Sequence, residues 1–314
     1  MSSCSSTLMK DIDTNSFSYM TVKPDSEFSN VILAIHGYND YSNSFKIPGE
    51  YLSKNNIALT SFDLNGFGKN KNKGEWFDLK QHIKDIDFNL KKIKNENPDK
   101  KIFLLGESMG GAITLSFVNR FRNLPIDGVI LIAPAIWNFT ETNFWKSIPL
   151  KIFAKILPSF KVSGKGIIKV QASDNVKMLK ELSMDDLFIH KPTFRSLQGV
   201  VDLMDEAYKD TEEYFKNPSY KTLIMIPLKD EIVPRKPLIK LLKDERIKNN
   251  FSDKIKILVY EESYHMILRD LNGDQITEDL KNWVIGRESD SSNSPISDIL
   301  KQIENTEFYH RLDL

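Results

Sequence analysis

From Ile102 to Leu105 the chain is a short apolar run. It stops at Gly106-Glu107-Ser108-Met109-Gly110-Gly111 and resumes from Ala112 to Val118 with apolar residues at helical as well as local spacing. A Gly-x-Ser-x-Gly between a strand pattern and a helix pattern constrains the fold more than any other feature here. A serine on such a turn needs a buried strand before it, a helix N-terminus after it and small neighbours that let the strained backbone fit. Gly106 and Gly110 stand two residues either side of Ser108, where side chains would collide with the crossing, and Gly111 lets the helix lie close to the sheet. A bare Gly-x-Ser-x-Gly also fits a solvated serine in a glycine-rich turn. The turn-like Asn97-Pro98-Asp99 before the strand and the apolar periodicity after it favour the other reading, in which Ser108 is a nucleophile.

The same alternation fills much of the chain. Strand-like runs lie at Val31–Ile35, Ala58–Phe62, Ile102–Leu105, Val129–Ile132, Thr222–Ile226 and Ile255–Tyr260. Helix-like stretches with one apolar face lie at Leu79–Lys94, Met109–Phe121, Pro237–Lys248 and Ile276–Ile285. Short apolar strands alternating with helices predict an α/β protein with a mostly parallel sheet covered on both faces. The rhythm breaks between about Ala135 and Tyr208. No strand pattern is convincing there, and short helical patterns are interrupted by Pro149, Pro158 and Gly164–Gly166, so an inserted helical cap is the simplest account. The expected organisation is a polar leader (1–19), the first part of the core (20–134), the cap insertion (135–208), the second part of the core (209–286) and a linker with a C-terminal tail (287–314). The tail offers one short amphipathic helix from Ile296 onward and is expected to be peripheral.

At 314 residues the chain can bury one large core or two modest ones. Its 43 Lys and Arg are balanced by 43 Asp and Glu, which does not point to nucleic acid as a partner. There is no run of about eighteen apolar residues. The opening Met1-Ser2-Ser3-Cys4-Ser5-Ser6 lacks the basic flank and apolar stretch of a secretory signal, so a cytoplasmic location is expected. The only cysteine, Cys4, excludes an intrachain disulfide and a thiolate metal cluster. No metal and no organic cofactor is implied.

A serine nucleophile needs a base, and the base needs an orienting acid. Asp230 follows the strand run Thr222–Ile226 and His265 follows the run ending at Tyr260, so both emerge at the edge where Ser108 lies. The chain order serine, acid, histidine is the one expected for an elbow serine on a parallel sheet. The chain has five histidines. His36 sits inside a strand motif, His82 on a charged helix, His190 in the cap and His310 in the tail, which leaves His265. Glu231 adjoins Asp230 and competes for the acid role. An oxyanion also needs two convergent backbone donors, for which the amides of Met109, at the start of the helix, and Tyr38, in Ile35-His36-Gly37-Tyr38-Asn39-Asp40, are the candidates. Gly37 allows the close approach, His36 acts behind the site by pinning that loop, and Asn39 and Asp40 brace it.

Four separated motifs together resemble the α/β-hydrolase superfamily, and within it the monoacylglycerol lipase and bacterial lysophospholipase group that includes serine aminopeptidase-like proteins. They are His36-Gly37-Tyr38-Asn39-Asp40-Tyr41-Ser42, Asp63-Leu64-Asn65-Gly66-Phe67-Gly68, Gly106-Glu107-Ser108-Met109-Gly110-Gly111, and Leu228-Lys229-Asp230-Glu231-Ile232-Val233-Pro234 with the later His265. The cap adds Ala172-Ser173-Asp174-Asn175 and Leu197–Asp205, and the resemblance spans roughly residues 20 to 286. It implies an α/β-hydrolase fold with a helical cap and a Ser108–His265–Asp230 triad. Two positions depart from the pattern. Asn70 stands where a serine is usual, which bears on a loop hydrogen bond, and Pro227 replaces a glycine before the acid, which bears on that turn. The serine nucleophile argues against the dehalogenase and epoxide-hydrolase branches, which attack with a carboxylate.

The cap suggests what is cleaved. Between Phe144 and Val170 six lysines (Lys146, Lys151, Lys155, Lys161, Lys165 and Lys169) are interleaved with bulky apolar residues, without one Asp or Glu. Such an element suits contact with an anionic membrane surface, from which a single-chain lipid enters the pocket. Equally, the apolar residues pack on the core and leave the lysines solvated. The expected activity is hydrolysis of a monoacylglycerol or lysophospholipid ester through an acyl-enzyme. A peptidase or small-ester hydrolase using the same residues competes with it, as does a non-catalytic protein that binds a ligand under the cap.

Overall fold

The computed structural model describes residues 17–163, 170–248, 254–287 and 295–305. Cys4, Gly164–Gly166, Lys165, Lys169, His310 and the rest of the tail beyond 305 lie outside the described residues. Seven strands, β1 (Tyr19–Val22), β2 (Asn30–Ile35), β3 (Ile57–Phe62), β4 (Lys101–Glu107), β5 (Gly128–Ile132), β6 (Thr222–Pro227) and β7 (Ile255–Tyr260), form one sheet in the order β1-β3-β2-β4-β5-β6-β7. All neighbours pair in parallel except β1, which lies antiparallel to β3. The sequence pattern misses β1 because its four residues are half-exposed on an edge and carry no apolar run.

Helices cover both faces: α1 (Lys46–Ser53), α2 (Leu79–Glu96), α3 (Met109–Arg120), α4 (Phe139–Thr142), α5 (Phe144–Ile156), α6 (Val176–Met184), α7 (Phe194–Lys216), α8 (Arg235–Leu242), α9 (Glu245–Lys248), α10 (Gly273–Val284) and α11 (Ile296–Asn305). The strand period of two sorts the core. Val31, Leu33 and Ile35 pack with residues of α2, α3 and α7, while Ile32 and Ala34 face residues of α1 and α10. Both faces of β2 to β6 are therefore buried, which is why these strands appear in the sequence as continuous apolar runs. α2 is fixed at its start by Asp78, whose side chain accepts from the Gln81 amide at 2.9 Å. The helix pattern at Pro237–Lys248 is divided into α8 and α9, because the Asp244 carboxylate accepts from the Arg246 amide at 2.9 Å and starts a new turn.

Between β5 and β6 the described chain is helical, with one isolated bridge between Lys161 and Thr193. Pro149 does not interrupt α5; the helix runs through it, giving up one backbone donor. α7, capped by Thr193, begins over the site and continues to Lys216. Its distal half buries Thr211, Tyr214 and Phe215 in the main core, so residue 208 falls inside one helix shared by the cap region and the core.

Candidate active site

Because β2, β4, β6 and β7 are parallel, the loops after them leave the same edge of the sheet, where open α/β sheets bind their ligands. Ser108 follows β4 as a sharp turn with φ 54° and ψ −119°, a conformation that costs a non-glycine residue free energy. The turn is held from β5: the Ser108 amide donates to the Ile132 carbonyl at 2.9 Å, and the Ala135 amide to the Ser108 carbonyl at 3.0 Å. The flanking glycines are required by space. A Cβ on Gly110 would lie 2.2 Å from the Ile35 carbonyl oxygen, and one on Gly106 would lie 2.4 Å from that of Gly110.

The loops after β6 and β7 complete a relay. His265 Nε2 lies 2.9 Å from Ser108 Oγ, and His265 Nδ1 lies 2.7 Å from Asp230 Oδ2. Asp230 Oδ1 accepts the amides of Ile232 and Val233 at 2.7 and 2.9 Å, which fixes the carboxylate and leaves Oδ2 for the imidazole. That pattern assigns the proton to Nδ1 and leaves Nε2 as the acceptor facing the serine. Burial of the His265 ring disfavours its charged form, but the charge and hydrogen bond of Asp230, together with the charge of Glu107, outweigh it and hold the imidazole above its ordinary value. Glu231 takes a different partner, with Oε2 accepting the Gln171 amide at 2.8 Å. Pro227 ends β6 in register with Tyr260, and the Leu228 amide bonds to the Tyr260 carbonyl, so the acid loop leaves the sheet tied to β7.

β2 pairs with β4 with Ile35 opposite Gly106, so the loop after β2 passes beside the serine. A Cβ on Gly37 would stand 3.2 Å from that of Ser108. Tyr38 is the next residue, and Met109 is the first residue of α3, where the amide has no acceptor within its own helix. His36 is fully buried and accepts the Leu64 amide on Nε2 at 3.0 Å while its Nδ1 donates to the Gly37 carbonyl at 2.8 Å. Burial lowers its pKa, in keeping with a neutral ring that ties this loop to the one after β3. His82 is buried in α2 between Phe67 and Trp76, His190 lies in the cap at the Asp185 carbonyl, and neither faces the relay.

Several supporting residues fall within or beside the sequence motifs, and the structure gives them partners. Asp63 accepts the Ser42 and Lys69 amides at 2.9 and 2.8 Å. Asn70 Nδ2 donates to the carbonyls of Asp63 and Leu64 at 3.0 and 2.8 Å, so the amide closes the loop after β3 at the position where the motif departs. The Ala172–Asn175 segment staples the cap to the turn after His265. Ser173 Oγ donates to Asp270, the Met266 amide to the Ala172 carbonyl, and Asn175 Nδ2 to the Arg269 carbonyl. On the other side Tyr38 Oη meets Ser196 Oγ at 2.8 Å and Tyr41 Oη donates to Asp185 at 2.6 Å. The loops at the site thus carry the cap. Arg269, Asp40 and Glu107 form a buried charge cluster beneath it. Among the described residues no group of three His, Cys, Asp or Glu side chains is placed to hold a metal ion.

The sheet order, the helices on both faces and the serine elbow after β4 define an α/β-hydrolase. The model of the serine aminopeptidase, S33, family matches residues 26–272, and the chain belongs to that family. Phospholipase YtpA of Bacillus subtilis is 28% identical over 211 residues, covering 67% of this chain and 79% of that protein. The monoglyceride lipase of Mus musculus is 22% identical over 271 residues, covering 84% and 85%. Among solved structures, the monoacylglycerol lipase of Paleococcus ferrophilus matches with a TM-score of 0.69 at 20% identity, covering 87% of this chain and 99% of that one. A soluble variant of the Saccharomyces cerevisiae monoglyceride lipase, in complex with a substrate analog, matches with a TM-score of 0.70 at 21% identity, covering 87% and 92%. At those identities the structural likeness speaks for the fold.

Proposed function

We propose that the protein is a serine hydrolase that cleaves the carboxylic ester of a single-chain lipid, a monoacylglycerol or a lysophospholipid, through an acyl-enzyme on Ser108. The observation that carries this reading is the unbroken relay from Asp230 through His265 to Ser108 Oγ, at 2.7 and 2.9 Å, on a strained elbow. His265 takes the Ser108 proton as Oγ attacks the ester carbonyl, and Asp230 steadies the imidazolium. The amides of Met109 and Tyr38 receive the oxyanion. His265 then protonates the departing alcohol. Water, deprotonated by the same ring, attacks the acyl carbon and releases the fatty acid and Ser108.

The lipid class is supported by the relatives named phospholipase and monoglyceride lipase and by the surface of the cap. On α5 only Ser147 is buried. Trp145 is 81% exposed and Ile156 68%, with Phe144, Ile152 and Phe160 also exposed. These side chains leave much of their apolar surface in solvent, although the Phe160 ring also stacks on Phe194 of α7. Together with Lys151, Lys155 and Lys161, which are exposed too, they favour docking on an anionic membrane by the cap. Among the described residues no helix is long and apolar enough to cross a membrane.

The full-length protein assayed against monoacylglycerols, lysophospholipids, short p-nitrophenyl esters and aminoacyl-arylamides tests the substrate class. Highest kcat/KM on a single-chain lipid is expected. A preference for the arylamides favours the peptidase reading, to which the family's description also points. No turnover together with no labelling by a fluorophosphonate favours a ligand-binding protein. Docking has its own test, the triple variant Lys151→Glu, Lys155→Glu, Lys161→Glu. At about 1 kcal/mol for each basic residue near the surface, affinity for anionic vesicles should fall on the order of a hundredfold. Hydrolysis of a soluble short ester should stay near wild type, because the lysines lie away from the relay. Undiminished vesicle binding in co-sedimentation rules out docking through these residues.

A further inference from the structure

Three charged side chains that the relay does not use meet under the elbow. Arg269 Nη2 lies 2.8 Å from Asp40 Oδ2 and 3.6 Å from Glu107 Oε2, and all three side chains are at most 7% exposed. Each comes from a different loop of the site. Asp40 is in the loop that carries Gly37 and Tyr38, Glu107 directly precedes Ser108, and Arg269 ends the short turn that follows His265. Asp40 is itself oriented, its Oδ1 accepting the Tyr41 amide at 2.9 Å. Burial works against the Arg269 charge, but Asp40 and Glu107 outweigh it and hold the guanidinium firmly ionised. Burial raises the Glu107 pKa, and Arg269 opposes that rise.

Buried ion pairs are poor stabilisers, because desolvating the charges offsets most of their attraction; in some proteins they serve instead to fix one arrangement of the parts they join. Here the parts are far apart in the sheet. β7 lies four strand spacings from β2, roughly 19 Å. The turn after His265 must therefore reach back across the sheet edge to bring the imidazole to Ser108, and something must fix where it lands. Arg269 does this with one atom, since Nη2 faces both carboxylates, and the guanidinium stays ionised at any ordinary pH.

We propose that Arg269 is a positioning residue, joining the His265 turn to the Tyr38 loop through Asp40 and to the Ser108 elbow through Glu107, so that imidazole, nucleophile and loop amide keep one relative geometry. It touches no substrate. The proposal builds on the hydrolase reading above for its kinetic consequence, while its structural consequence is measurable without turnover.

Three full-length variants test it: Arg269→Gln, Asp40→Asn and Arg269→Lys. Positioning errors of an ångström cost on the order of a hundredfold in rate. With a soluble ester, Arg269→Gln and Asp40→Asn should each lower kcat roughly ten- to a hundredfold with KM within about threefold, because the alignment and not the binding surface is lost. The double variant should be little worse than the poorer single, since both remove one link. Arg269→Lys should recover part of the rate, with an ammonium standing in for Nη2 on a shorter stem. Amide hydrogen exchange gives the second measurement: residues 38–41 should exchange faster in Arg269→Gln and Asp40→Asn, while the β4 amides keep the wild-type rate.

Unchanged exchange at 38–41 in the folded variants overturns the link, whether or not the protein hydrolyses any ester. Faster exchange with kcat untouched overturns its role in alignment. If Arg269→Gln does not fold, Asp40→Asn decides alone, as it removes the pair while keeping shape and the guanidinium. A wild-type protein that turns over no ester sinks the hydrolase reading and leaves the exchange result to decide the link.

Discussion

Ser108→Ala is expected to abolish ester hydrolysis and fluorophosphonate labelling, a fall on the order of a millionfold, while the protein stays folded. Alanine removes only Oγ. It adds no bulk where Gly37 and Gly110 pass close by, and it meets the same cost as serine at φ 54°, so thermal stability should shift little. What disappears is the atom that His265 Nε2 faces at 2.9 Å. Residual hydrolysis by water held in the oxyanion site should be the only activity left. Steady-state kinetics, probe labelling and a thermal melt on the same preparation check it; a folded variant that turns over esters at the wild-type rate removes Ser108 from the mechanism.

Asp230→Asn is expected to cost about a thousand- to ten-thousandfold in kcat. The reason lies in how the carboxylate is held. Oδ1 accepts two backbone amides, so an asparagine oxygen will stay there and turn its NH2 toward His265 Nδ1. The imidazole must then carry its proton on Nε2, facing Ser108, where it can no longer act as a base. The pH profile should move as well. Wild-type activity should rise with pH through a midpoint above the ordinary imidazole value, because Asp230 raises the His265 pKa and the base must be neutral to work. Without that charge, burial acts unopposed by its main counterweight, so the residual activity of Asp230→Asn should rise at a lower pH. Glu231→Gln should stay within about tenfold of wild type, because Glu231 serves the Gln171 amide. A crippled Glu231→Gln beside an active Asp230→Asn reverses the assignment of the acid.

Much of this arrangement is legible in the amino-acid sequence. Each strand buried on both faces shows as a short apolar run, and the elbow shows as glycines around a serine, because in both cases local sterics and burial dictate residue type. The half-exposed edge strand β1 has no such pressure and is missed. Pro149 misleads in the other direction: its local effect on a helix is unfavourable, yet α5 continues through it. The division of Pro237–Lys248 at Asp244 rests on one side-chain hydrogen bond to the backbone, which no periodicity records.

Apolar periodicity and the space around Ser108 act over a few residues, so the layer architecture, the elbow and the chain order of Ser108, Asp230 and His265 can be read locally. The pairing of Asp230 rather than Glu231 with His265, the closing of the loop after β3 by Asn70, the outward faces of Trp145, Ile152 and Ile156 on α5, and the meeting of Arg269 with Asp40 and Glu107 come from the folded arrangement. Those outcomes depend on loops brought together from strands far apart in the chain. A side chain there finds its partner by where the sheet edge and the cap place it, and neighbouring residues carry no trace of that distance.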